Sequence, residues 1–244
     1  MRLSHVTLGI STAAILISAG WFTLRALPEK STSITLTFHA EMGGAPLVYD
    51  QFVYDNPGGP GTFRVRDFRF YLSNLSVAKG AETYSEADSY HLLRFDNADR
   101  SHSITLTDVP LQSVETVGFL IGVDPEANSS IQPRGDLDPN SQMAWNWEVG
   151  YKFVVFEGAL RIGETVSPVV YHVGFSENAR QQSFAIPSDS QVDGDVQVDL
   201  TVDLAKLFNG ATRIDMETLP SVKFDRTDAK DLADNYADMI APKF

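Results

Sequence analysis

Cysteine is absent from the 244 residues. Its absence excludes a lipoprotein anchor, disulfides, thiolate nucleophiles, iron–sulfur clusters and Cys-based zinc or blue-copper sites. Basic residues are outnumbered: 19 Lys and Arg face 32 Asp and Glu, a formal net charge of −13. A surface that acidic cannot displace the counterions of a nucleic-acid backbone, and it docks poorly on anionic lipid. Helix-favouring Ala/Leu/Glu/Lys blocks are scarce outside the two ends, and no G-x-S-x-G, H-E-x-x-H or P-loop motif occurs. "DLDPN" starts with the spacing of a calcium loop, but Ser141 stands where that loop needs glycine and Trp147 where it needs its bidentate Glu. Nothing here supports a hydrolase.

What is present begins with "MRLSHVTLGISTAAILISAGWFTLRALPEK". Arg2 precedes an uncharged apolar run from Val6 to Leu24, and Arg25 closes it. Residues 1–30 therefore read as a signal peptide or an uncleaved signal anchor, with Ser18-Ala19-Gly20 a mediocre cleavage site. The expectation is a periplasmic or secreted protein that meets the inner membrane only through this segment, if it is retained.

Residues 31–244 read as one domain. Ile34, Leu36 and Phe38 alternate with Thr35, Thr37 and His39, and Phe68, Phe70 and Leu72 with Asp67, Arg69 and Tyr71. Ile104 and Leu106 alternate with threonines, and Val196 to Leu204 alternates without a break. Each pattern is that of a strand with one buried face. Turn-rich stretches separate them, so the expected fold is all-β: an antiparallel β-sandwich or open barrel with long loops. Only the tail, "DRTDAKDLADNYADMI", reads as a helix, with Leu232, Tyr236 and Ile240 four apart and Asp225 or Thr227 as N-cap.

The loop from Asp124 to Gln142 is long for a compact domain, and loops of that length tend to be functional. It leads into "MAWNWEVGY". Taken as one strand, this segment puts Met143, Trp145, Trp147, Val149, Tyr151, Phe153 and Val155 on a single face. Core packing accounts for Trp147 onward, whereas Met143 and Trp145, beside the loop, suit packing and a chemical site equally. Among the histidines, His39 and His172 face away from the apolar side of their strands. His91 shares the parity of Leu93 and Phe95, as a core histidine would, and His102 lies in a solvated turn. Imidazole is the commonest transition-metal ligand, and thioether sulfur suits Cu(I). No two histidines have the local spacing of a zinc motif, so a metal site would have to be assembled from distant strands.

The ordered series "FRFYLSNLSV", "YHLLRFDN", "IGVDPEAN", "GDLDPNSQMAWNWEVGYKFVVFEG", "YHVGFSENAR" and "LADNYADMI" resembles the MbnP-like copper-binding protein family over roughly residues 34–240. The most specific block is GDLDP…M-x-W-x-W…GY-x-F…EG followed by HVG. The resemblance implies an exported, mostly β, non-enzymatic protein that binds copper. It further implies a partner, a MauG/MbnH-like di-haem c-type cytochrome peroxidase, which oxidises a tryptophan to kynurenine. Carried onto this chain, His39, His172 and His91 become implied ligands, Met143 a softer one, and Trp145 or Trp147 the implied oxidation target. The segment before the tail, "LPSVKFDRT", adds no His, Met or Cys. A β-sandwich adhesion or carbohydrate-binding module is the alternative, because Trp and Tyr can form a stacking platform.

Overall fold

The computed structural model describes residues 31–130, 132–146, 150–192 and 194–243. The N-terminal apolar segment and Trp147 lie outside this set. The chain runs through β1 (Thr32–Met42), β2 (Ala45–Pro46), β3 (Tyr54–Asp55), β4 (Thr62–Lys79), β5 (Glu82–Ser85), β6 (Tyr90–Arg94), β7 (Ser101–Val109) and β8 (Thr116–Ile121) to a short helix, α1 (Pro125–Asn128). It continues through β9 (Ala144–Asn146), β10 (Gly150–Ile162), β11 (Thr165–Gly174), β12 (Arg180–Ala185), β13 (Gln191–Val192) and β14 (Asp195–Asp203). Helix α2 (Leu204–Phe208), β15 (Ser221–Val222), helix α3 (Arg226–Tyr236) and β16 (Ile240–Pro242) complete it. Among these residues no helix is long and apolar enough to cross a membrane.

The fold is the all-β sandwich that the period-2 patterns predict. In the first sheet β1 lies between β14 and β7, and Ile34, Leu36, Phe38 and Ala40 bury their side chains in the main core. Its outer face is polar, and Thr35 and Thr37 share hydroxyl hydrogen bonds of 3.1 Å with Thr105 and Ser103. The pairing is not antiparallel throughout. β1 and β14 run parallel from Ile34↔Val196 to Glu41↔Asp203, and β11 pairs parallel with β15. Two strands far apart in sequence need no tight turn to join them, so either direction is open to them.

The second sheet is built on β4. Along one edge it pairs with β10 and then β8; along the other it pairs with β3, β6 and β5. Phe38 of the first sheet meets Phe119 of the second edge-on at 6.0 Å, and Phe63, Phe156, Tyr171 and Phe208 continue the aromatic core. The tail helix starts where expected: Asp225 caps it, accepting from the Thr227 and Asp228 amides at 2.9 and 3.0 Å. It ends sooner than expected, at Tyr236. Ile240 belongs to β16, where it pairs with Val202. Four-residue spacing places Leu232 and Tyr236 on one helix face but carries no signal for where the helix stops.

Candidate functional site around Trp145 and His172

The outer face of the second sheet is covered by the long loop, which is not structureless. Asp124 caps α1 and also accepts a 2.7 Å hydrogen bond from the Tyr90 hydroxyl. Asp136 accepts from the Leu92 amide at 2.8 Å, and Asp138 caps a 3-10 turn over Pro139–Ser141. These carboxylates pin the loop to the sheet, and beneath it a second apolar cluster forms from Tyr71, Tyr90, Leu137, Met143, Tyr151, Phe153 and Val155. Met143 is fully buried there.

"MAWNWEVGY" is not one strand. β9 folds back antiparallel on the start of β10, pairing Ala144 with Tyr151 and Asn146 with Gly150, whose φ is +89°. Residues directly opposite each other share a face, so Trp145 projects from the other face to Ala144 and Tyr151. Alternation in a sequence looks the same whether the strand runs on or doubles back, and here it doubles back.

Trp145 is half-buried and seated on Gly174, where a Cβ would meet the indole Cζ3 at 2.6 Å. Its ring lies 5.4 Å from Phe175 and 5.2 Å from Phe224, which is 60% exposed. Phe175 takes a φ of +68°, a costly conformation for a residue with a Cβ. Its ring is covered by the Arg226 guanidinium at 4.3 Å, and Arg226 in turn pairs with Glu177. The turn beneath is tied down by the buried Asn178, whose amide donates to the Gly174 carbonyl at 2.7 Å and whose own carbonyl accepts from the Tyr236 hydroxyl.

His172 lies two residues before Gly174 and so shares its face of β11, roughly 7 Å along the strand. Its Nε2 is 3.0 Å from Glu157 Oε1. Burial lowers the His172 pKa; the Glu157 hydrogen bond opposes this, and the Lys152 and Lys223 charges add to it. A histidine with a folded pKa below its unfolded value takes up a proton more readily when unfolded. Its contribution is therefore retained above the unfolded value, about 6.5, and stability is lost as pH falls through that value. His172→Gln is expected to flatten the acid limb of stability measured by urea denaturation between about pH 7.5 and 5. An unchanged limb would place that sensitivity elsewhere.

The other histidines are dispersed. His39 sits on the outer face of the first sheet, 2.7 Å from Asp199. His91, expected in the core, is only partly buried at the β6 edge and pairs with Glu86 at 2.6 Å. His102, expected in a solvated turn, lies on β7 with its Nδ1 accepting from the Arg94 amide at 3.4 Å, and burial lowers its pKa. His39 and His172 thus occupy opposite outer faces of the sandwich, and one ion cannot be bound by both. Met143 is enclosed in the second cluster. Among the described residues no group of three or more His, Asp or Glu side chains is arranged to hold a metal. The structure seats Trp145 on the face of β11 that carries His172, and leaves His39 on the other sheet, His91 at the β6 edge and Met143 enclosed in the second cluster. Sequence reasoning missed Glu157, Phe175 and Phe224, which are remote in the chain and fall in no local pattern; HVG alone pointed to Gly174.

No curated protein sequence matches the chain significantly. Among solved structures, MbnP from Methylosinus trichosporium superposes with a TM-score of 0.57 at 17% identity, covering 81% of this chain and 82% of that one. At that identity the likeness is one of fold. The MbnP family model matches residues 31–224, nearly all of the described β domain. The chain belongs to the MbnP family.

Proposed function

We propose that this chain is an exported, non-catalytic copper-binding protein whose copper locus is the Trp145–His172 corner of the second sheet. On this reading it is matured by a MauG/MbnH-like di-haem enzyme that oxidises Trp145 to kynurenine. The observation that carries the reading is the seating of a half-exposed tryptophan on the same face of β11 as His172, in a chain of the MbnP family. Indole offers a metal no donor of its own. Its oxidative opening, with peroxide as the haem partner's oxidant and the indole C2 carbon leaving as formate, gives an aryl amine and a ketone, polar atoms on the same sheet face as an imidazole that Glu157 already orients. The unmodified residues supply one imidazole and one carboxylate and do not by themselves make a complete copper site, which is why the reading includes the modification. Copper would supply a soft cation for nitrogen donors. Export rests on the N-terminal apolar segment.

The test is intact mass, peptide mapping and copper content of the protein purified from its exported compartment. Bound copper is expected, with the mass change of a tryptophan-to-kynurenine conversion on the Trp145 peptide. Copper should be lost in His172→Ala and retained in His39→Ala and His91→Ala. Equal loss in His39→Ala would remove the locus from this corner. No copper and an intact Trp145 would overturn the reading in favour of a carbohydrate or adhesion face. That second reading is favoured by one observation, the exposed Phe224 ring beside Trp145.

A further inference from the structure

Next to the Glu157 side of this corner, where Asp67 pairs across β4–β10 with Glu157, the second sheet carries a feature that copper binding does not use. Between the 47–50 loop, β4 and β6 lies a cleft of about 320 Å³, lined chiefly by charged side chains: Arg66, Arg94 and Arg100, and Asp50, Asp67 and Asp96. Its walls are tied together by hydrogen bonds and a cation–π contact. The Asp50 amide donates to the Val65 carbonyl at 2.8 Å. Arg100 donates to the Leu47 carbonyl at 3.2 Å and the Phe95 carbonyl at 3.4 Å, and its guanidinium covers the Tyr49 ring at 4.8 Å. Arg100 is thus committed to building the floor.

Two other guanidiniums are not committed. Arg66 and Arg94 are exposed, and their side chains make no hydrogen bond or ion pair among the described residues. Arg94 also stands directly opposite Arg69 across the β4–β6 pair. Like charges in that relation repel unless an anion lies between or beside them. Arg69 has an ion pair, Asp67 at 3.1 Å, whereas Arg94 makes none and only shares the field of that same carboxylate. On the acidic side, Asp50 and Asp96 are exposed and without a cation partner among the described residues, while burial pushes the Asp67 carboxyl up.

We propose that this cleft binds a small zwitterion of amino-acid size, its carboxylate on Arg66 and Arg94 and its ammonium on Asp50 and Asp96. The volume is at the small end of ligand sites. The lining balances three guanidiniums against three carboxylates in a chain whose net charge is −13, so the local balance is set apart from the molecule's acidic surface. A net anion of the same size would lie against Asp50 and Asp96, and a net cation against Arg66 and Arg94. A zwitterion satisfies both signs at once, which is how complementary charge selects a ligand.

Isothermal titration of the metal-free protein with L-alanine, L-glutamine, L-glutamate and L-arginine tests this, with citrate and putrescine as single-sign controls. At least one amino acid is expected to saturate a single site, and both controls should bind at least about tenfold more weakly. Arg94→Gln and Asp96→Asn should each weaken the binding about tenfold or more, as loss of a charge-assisted hydrogen bond does. Both positions are exposed, and circular dichroism confirms that the variants are folded. The proposal is overturned if none of the four amino acids saturates, if citrate or putrescine binds as tightly, or if both variants keep wild-type affinity. His172→Ala should leave the titration unchanged, which separates this result from the outcome at the copper locus.

Discussion

Phe156→Ala is expected to destabilise the domain by about 3–5 kcal/mol, the cost of emptying a large aromatic from a packed core. Phe156 is fully buried in the middle of β10. Its ring lies 4.8 Å from Phe208, 5.8 Å from Tyr171 and 6.2 Å from Phe63, so it joins β4, β10, β11 and α2 at one point. Phe63 and Tyr171 are rings held by paired strands on both sides and Phe208 is fully buried at the end of α2, so they cannot slide inward to fill the space. For a domain of this size the loss corresponds to a fall in melting temperature on the order of 10 °C. Urea denaturation followed by circular dichroism measures it, with Val166→Ala as the control. Val166 is 52% exposed, and its truncation should change stability by less than about 0.5 kcal/mol. A Phe156→Ala loss below about 1 kcal/mol would mean that the surrounding rings do collapse, contrary to this packing.

Gly174→Ala should unseat Trp145. An added Cβ would lie 2.5 Å from the Tyr151 carbonyl oxygen, 2.6 Å from the indole Cζ3 and 3.0 Å from its Cη2. The ring can swing outward, but the carbonyl belongs to the β10 backbone, and its displacement strains the junction with β11. The expected cost is about 1–3 kcal/mol, typical of overpacking. Trp145 emission should shift to the red and become more accessible to iodide as the ring leaves its seat. Trp145→Ala should recover only part of the stability lost in Gly174→Ala, because the carbonyl contact remains; a double-mutant cycle isolates the share that belongs to the ring. If Gly174→Ala leaves both emission and stability at wild-type values, Trp145 does not rest on this glycine.

The two variants probe features of different origin. Phe156 is buried because β10 is covered on both faces, with Phe153, Val154, Val155 and Phe156 all buried, and alternation alone places only Phe153 and Val155. Periodicity over a few residues is readable in one dimension; that holds for Ile34, Leu36 and Phe38, for the uninterrupted alternation of β14, and for the Asp225 cap, whose hydrogen bonds reach only two and three residues along the chain. The Trp145 seat is different. It needs Gly174, Phe175 and Phe224, which come from β11, the turn after it and the approach to α3, and no pattern local to "MAWNW" contains them.

The sequence by itself determined β1, β7 and β14 with their buried faces, the capped start of the tail helix and, through its ordered motifs, the family. It left open, and the tertiary structure decided, that β1 and β14 lie side by side in parallel, that "MAWNWEVGY" doubles back at β9, and that the 124–142 loop roofs a second apolar cluster. The tertiary structure also decided that His39 and His172 are held on opposite faces of the sandwich while Trp145 is seated on the same face of β11 as His172. The physical reason is the range of the forces that fix each feature. Side-chain alternation and caps depend on neighbours a few residues away. Strand partners and shared faces depend on which apolar surfaces, often more than a hundred residues apart, bury each other best.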